Sequence, residues 1–160
     1  MKKFFAVLFL FCMVTAAHAA VTVGGRVSAG YGMDFDESPK PVLGVSAYCE
    51  IPFLGGDYVD YRVGIRPEVA SSFLYSPMVF RLPLVWSFSP NPYIDFGAAA
   101  GPMYSFFRGG FGVTADAFFA FKVGPGKAVL DVGADFPFLR KESLYLCATV
   151  SLGYQYMIRW

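Results

Sequence analysis

The sequence predicts an all-β fold, an eight-stranded antiparallel up-and-down transmembrane β-barrel preceded by a cleavable signal peptide. Three observations carry that expectation. The chain is 56% hydrophobic and 19% aromatic, against an apolar share of about 45–50% in ordinary soluble domains. Past its first residues it holds no apolar run of the roughly 20 residues that a spanning helix needs. Its hydrophobicity instead repeats every second residue, with turn residues between the repeats, which is the signature of strands with two unlike faces. An apolar exported chain without spanning helices can still cross a bilayer as a closed barrel, in which every backbone group is paired.

The N-terminus supplies the export signal. Lys2 and Lys3 form a short basic region, residues 4–14 are an unbroken apolar run, and Ala17 and Ala19 occupy the −3 and −1 positions of a cut before Ala20. That run, about 11 residues, is too short to span a bilayer. The expected organisation is a signal peptide over 1–19 and a single barrel domain over 20–160. Loss of Lys2 and Lys3 takes Lys+Arg from 13 to 11 against 12 Asp+Glu, a net charge near −1. Nucleic acid, which wants a basic surface, is therefore not an expected partner.

The strands follow in order. Strand one, 21–33, sets Val27, Ala29, Tyr31 and Met33 against Arg26, Ser28, Gly30 and Gly32. After the loop DFDESPKP, strand two, 42–51, opposes Leu43, Val45, Ala47, Cys49 and Ile51 to Gly44, Ser46, Tyr48 and Glu50. The turn FLGGD leads to strand three, 58–69, with Val59, Tyr61, Val63, Ile65 and Val69 opposite Asp60, Arg62, Gly64, Arg66 and Glu68. Strand four, 78–88, alternates Phe80, Leu82, Leu84, Trp86 and Phe88 with Arg81, Pro83, Val85 and Ser87. SPNP turns the chain into strand five, 93–104, where Phe96, Ala98 and Ala100 oppose Asp95, Gly97 and Gly101.

Strand six, 111–123, carries Phe119 and Phe121 opposite Asp116 and Lys122, and GPGK over 124–127 is read as the next turn. Strand seven, 128–136, opposes Leu130, Val132, Ala134 and Phe136 to Asp131, Gly133 and Asp135. The last strand, from Ser143 to the end, sets Tyr154, Tyr156, Ile158 and Trp160 on its apolar face and Thr149, Ser151, Gly153, Gln155 and Arg159 on the other. Eight is an even number, as single-chain bacterial barrels have. Connections alternate between short turns and longer loops, the asymmetry expected of periplasmic turns, extracellular loops and periplasmic termini. Three prolines resist the scheme, because a closed barrel has no edge to hold them. Pro67 and Pro102 fall near the loop ends, where pairing is expected to stop, while Pro83 sits mid-strand and marks a bulge or a misplaced boundary.

Size decides which face points out. An eight-stranded barrel has an interior just wide enough for side chains to fill. A soluble lipocalin-type barrel would have to place Phe80, Trp86, Phe96, Phe119, Phe121, Tyr154, Tyr156 and Trp160 inside it. Bulk outside, with Gly, Ala and Ser between charges inside, is the arrangement that fits. The inward face then holds Arg26, Arg62, Arg66, Arg81, Lys122 and Arg159 against Glu50, Asp60, Glu68, Asp95, Asp116, Asp131 and Asp135. Charges in a narrow lumen must pair or keep water. A gated polar pore is one reading. The near-cancelling charge favours the other, an internal network that plugs the barrel and fixes strand register. Outward aromatics gather toward both ends of the strands, as in the two interfacial girdles of membrane proteins.

Much chemistry is excluded. His18 is the single histidine and leaves with the signal peptide, so no Ser-His-Asp, Cys-His or His-metal site is expected in the mature chain. No enzyme activity, metal or cofactor is expected. Lumen carboxylates such as Asp116, Asp131 and Asp135 are read as partners of arginine rather than as a catalytic pair. Cys49 and Cys147 stand on different faces of non-neighbouring strands, which argues against a disulfide.

The signal peptide, the eight amphipathic strands and the aromatic last residue together resemble the small outer-membrane β-barrel superfamily, which includes the OmpA transmembrane domain, OmpX, OmpW and opacity-type barrels. The resemblance covers the mature chain and is one of pattern. It implies a cell outer-membrane location in a Gram-negative-type envelope, with membrane lipid and lipopolysaccharide as surroundings. It also implies that Tyr154, Tyr156, Ile158 and Trp160 serve as the signal read by the barrel-assembly machinery. No periplasmic domain like that of OmpA is expected, and the loops are expected to be too short for the tall sheet of OmpX. A structural or surface-interaction role is the function expected first, with the extracellular ligand unspecified. A narrow channel or conduit for small, hydrophobic molecules is the alternative.

Overall fold

The computed structural model describes residues 20–34, 38–55, 61–72, 78–106, 110–138 and 145–158. The expected signal peptide, Asp60, Arg159 and Trp160 lie outside the described residues. Among the described residues ten strand segments follow one another: β1 (Val21–Asp34), β2 (Lys40–Leu54), β3 (Tyr61–Ile65), β4 (Glu68–Ser72), β5 (Val79–Arg81), β6 (Leu84–Asn91), β7 (Ile94–Ser105), β8 (Gly110–Val123), β9 (Gly126–Pro137) and β10 (Tyr145–Ile158). All pair antiparallel, and the sheet closes where β1 meets β10, from Val21↔Ile158 to Asp34↔Tyr145. The ten segments make eight crossings of the wall. The expected third strand is β3 plus β4, interrupted at Arg66 and Pro67. The expected fourth is β5 plus β6, interrupted at Leu82 and Pro83.

Pro67 and Pro102 do not end the pairing as the sequence suggested. Above Pro67, Glu68 still pairs with Tyr48, and Pro102 itself stands within the β7–β8 ladder opposite Val113. Pro83 does not shift the register either: Glu68↔Arg81 above it and Ile65↔Leu84 below it continue a single alignment. A proline removes one donor without forcing a bulge where the neighbouring pairs hold the two strands in step.

Two turns are tighter than SPNP and GPGK implied. β6 continues to Asn91, whose side-chain Oδ1 accepts from the Tyr93 backbone N–H at 2.9 Å, and Asn91 pairs with Ile94. β8 and β9 are joined by Gly124 and Pro125 alone, with Val123 paired to Gly126 and Gly124 at a φ of 60°. That positive φ is free of penalty only for glycine. The shorter turn lengthens β9 at its start and brings Lys127 into the ladder.

Following paired residues round the wall gives the stagger of the barrel. Tyr31 leads through Ala148, Ala134, Ala115, Ala100, Leu84 and Ile65 to Ile51, one residue past the Thr22↔Glu50 pair, so that the path returns to β1 ten residues down from its start. Eight crossings with that stagger tilt the strands by roughly 40°, given a rise of ~3.3 Å and a spacing of ~4.8 Å.

The two faces divide as the size argument requires. Val27, Tyr31, Leu43, Leu84, Trp86, Phe96, Phe119, Val132 and Leu152 are exposed on the outside. Their neighbours in sequence, among them Arg26, Val85, Ala120, Val129, Asp131 and Ser151, are buried inside. A continuous apolar exterior on a barrel with a polar and charged interior inverts the soluble pattern. Outer aromatics pack edge-on near the ends: Tyr104 with Phe106 and Phe111 at the loop end, and Phe88 with Phe96 toward the turn end.

Candidate functional site: the charge layer across the lumen

The site is built from strand parity. Arg26, Glu68, Arg81, Asp131 and Asp135 each alternate with an outward residue, so all five enter a lumen too narrow to keep them apart. The Arg81 guanidinium donates to Glu68 Oε1 at 2.7 Å and to Asp135 Oδ2 at 2.5 Å. The Arg26 guanidinium donates to Glu68 Oε2 at 3.0 Å and to Asp131 Oδ2 at 2.5 Å. Glu68, with its side chain 2% exposed, thus joins two arginines. The chain Asp135–Arg81–Glu68–Arg26–Asp131 leaves β9, crosses to β5 and β4, passes through β1 and returns to β9.

A second chain lies against the first. Arg66, in the interruption between β3 and β4, donates to Asp116 Oδ1 at 3.1 Å and Glu50 Oε2 at 3.4 Å. The Arg26 and Arg66 guanidinium carbons both lie against the Tyr48 ring, 4.6 and 5.2 Å from its centroid. Arg66 also lies 4.8 Å from the Phe118 ring. Tyr48 reaches across β1 to donate its hydroxyl to Gln155 Oε1 on β10 at 2.9 Å. It can do so because residue 24 is glycine: a Cβ there would fall 2.6 Å from the tyrosine oxygen.

Above and below this layer the lumen differs. On the loop side a cavity of about 80 Å³ has a mixed lining, with the hydroxyls of Ser28, Ser46, Thr114, Thr149 and Ser151 among apolar Val42, Ala70, Val79 and Met103, over a floor of Arg26, Glu68, Arg81 and Asp131. The polar groups at the floor and that volume suit several waters, each of which needs about 10–15 Å³. On the turn side Val85, Ala99, Phe118, Ala120 and Val129 form a buried apolar cluster, with Val85 and Ala120 fully covered. Nearer the turns, Lys127 donates to Asp95 Oδ2 at 2.5 Å.

The structure therefore brings together Arg26, Glu50, Arg66, Glu68, Arg81, Asp116, Asp131 and Asp135. It leaves others apart. Among the described residues, Arg62 donates to Ser89 Oγ at 3.4 Å, away from the central layer. Lys122 is exposed at the turn-end rim, its ammonium 5.5 Å from the Tyr93 ring centroid, and stands opposite Lys127 instead of an acid. Asp95 pairs with Lys127, away from the central layer. Sequence reasoning missed Lys127, which it had assigned to a turn; a two-residue Gly-Pro turn was the signal that would have found it. Tyr48 and Phe118 were legible as inward residues by parity, but their stacking on arginine was not. Cys49 is half-buried and Cys147 buried, and both are free thiols.

No family model matches the sequence, and no curated protein matches it. Solved structures do. A de novo designed transmembrane β-barrel matches with a TM-score of 0.53 at 15% identity, over 86% of this chain and 95% of that one. Ail, the attachment invasion locus protein of Yersinia pestis, matches with a TM-score of 0.51 at 15% identity, over 86% of this chain and 97% of its own. The same protein in complex with the heparin analogue sucrose octasulfate matches equally, with a TM-score of 0.51 at 16% identity. With its closed antiparallel wall, apolar exterior and charged lumen, the chain has the fold of the small eight-stranded transmembrane β-barrels.

Proposed function

We propose that this chain is an integral outer-membrane protein whose lumen is plugged, and that it acts as a structural or surface-interaction barrel rather than a pore. The observation that carries the reading is the unbroken ion-pair chain from Asp135 to Asp131 across the lumen, backed on the turn side by the apolar cluster around Phe118. A water path would have to cross both layers. Breaking a buried ion pair by losing one partner costs about 3–5 kcal/mol, so the layer holds itself closed.

In this reading residues 1–19 are a signal peptide removed before Ala20. The turn end carries both termini and faces the periplasm, and the loops face outward among lipopolysaccharide. Tyr154, Tyr156, Ile158 and Trp160 are the signal read by the assembly machinery. Exposure of Tyr154 and Tyr156 on the outer face of β10 supports that last role.

Planar-bilayer recording of the refolded protein tests the proposal. The plugged barrel gives no steady conductance, while thinning both layers at once, with Arg26→Ser and Arg81→Ser in the ion-pair chain and Phe118→Ala in the apolar cluster, gives current. Steady conductance of the unaltered protein that falls on Arg66→Glu would instead make it a pore.

A further inference from the structure

The three prolines are not scattered. Register places Cys49, Pro67, Leu82 and Pro102 in one row across four neighbouring crossings, with Arg66 and Pro83 in the row beside it. At each of these positions the prolines accept a bond they cannot return: Cys49 N–H donates to the Pro67 carbonyl at 3.1 Å, Arg66 N–H to Pro83 at 2.9 Å and Leu82 N–H to Pro102 at 3.0 Å. In a hydrogen-bonded antiparallel pair two bonds are exchanged, and proline has no N–H to supply the second. Three consecutive interfaces therefore each lose one bond at the same height. In a membrane wall, where backbone groups have no water to fall back on, that loss is expensive.

The row falls where both β3–β4 and β5–β6 are interrupted. Above it stand two short pieces, β4 and β5, paired with each other through Glu68↔Arg81, Val69↔Phe80 and Ala70↔Val79. On the far side β5 pairs with β7 through Val79, Phe80 and Arg81, with one backbone bond beyond either end, Phe106 N–H to the Met78 carbonyl at 3.1 Å and Leu82 N–H to the Pro102 carbonyl at 3.0 Å. Inward, the two pieces carry Glu68, Ala70, Val79 and Arg81, which line one wall of the loop-side cavity. Glu68 and Arg81 are also the residues that tie this wall to Arg26 on β1 and Asp135 on β9.

We infer that β4 and β5 form a flap in the barrel wall, hinged along the proline row and latched by the Glu68–Arg26 and Arg81–Asp135 pairs. Opening the flap parts β5 from β7 and widens the loop-side cavity sideways, while the β8–β9–β10–β1 wall stays paired. The device is independent of conduction, since the flap lies on the loop side of the apolar cluster.

Backbone hydrogen exchange of the full barrel in lipid nanodiscs, read residue by residue, tests this. Amides of Val69, Ala70 and Phe80 exchange at least several-fold faster than those of Val132, Val150 and Leu152 on the far wall. Pro67→Ala and Pro83→Ala each restore a donor and slow the flap amides by about fivefold. Glu68→Gln weakens a latch and speeds the flap amides while leaving Val132 and Val150 unchanged. Equal rates on both walls in the unaltered protein overturn the flap, and that comparison requires no variant to fold. Unchanged flap rates in both proline variants, or uniform acceleration of both walls by Glu68→Gln, overturn it as well.

Discussion

Arg26 shows most plainly what one residue does here. Its guanidinium holds Glu68 and Asp131 together with a side chain 5% exposed, and its Nη atoms have no substitute in a lumen this narrow. Arg26→Ala is expected to lower unfolding free energy by about 3 kcal/mol, measured by urea titration in lipid with tryptophan fluorescence as readout. Arg62→Ala, which loses a long bond to Ser89 away from the central layer, is expected to cost under about 1 kcal/mol. Similar losses in the two variants would mean that the layer is no more than a set of surface-grade pairs. Tyr48→Phe, removing the bond to Gln155, is expected to cost about 1 kcal/mol in the same titration. Parity in the sequence brought most of these charges to the lumen, since a two-residue repeat assigns a face without any knowledge of the partner strand. Which acid meets which arginine depends on the stagger round the barrel, and no local pattern records that. Glu68 and Asp131 are 63 positions apart in the chain, yet both are held by Arg26.

Elements were legible where alternation runs unbroken and obscure where a turn or a proline interrupts it. β1, β8 and β10 are long and regular, and their limits in the sequence lie close to their limits in the fold. The β8–β9 turn was read as four residues because GPGK contains three turn formers. The turn uses two of them, Gly124 and Pro125, while Gly126 and Lys127 enter the ladder and Lys127 becomes a partner of Asp95. Gly124, at a φ of 60° with open space where a Cβ would sit, is a clean probe of backbone preference. Gly124→Ala is expected to cost about 1 kcal/mol through conformation alone, in the same titration. The outer faces of β7 and β8 offer the complementary test. Ala98 pairs with Ala117 on the exposed apolar side, and Ala98→Arg is expected to cost about 2–4 kcal/mol when the protein is folded into bilayers. No measurable cost would place that face in water.

For the molecule as a whole, the sequence reading rested on apolar content, period two and the absence of long apolar runs, and these define a closed wall with its greasy side outward. The stagger of ten residues and the gathering of three prolines into two adjacent rows lie beyond it, because both are properties of how strands are aligned rather than of any strand. The layered lumen follows from the same alignment: a cavity of mixed lining on the loop side, ion pairs at the middle and Val85, Phe118 and Val129 beneath. Everything proposed about the plug, the flap and the outer-membrane setting depends on this chain being a membrane-spanning barrel. Electrophoretic mobility in SDS tests that most directly, on protein refolded into phospholipid vesicles and loaded with or without boiling. The closed ladder from β1 to β10 resists SDS until heated, so the unboiled and boiled samples migrate as separate bands. A single band at the same position under both conditions would contradict the barrel.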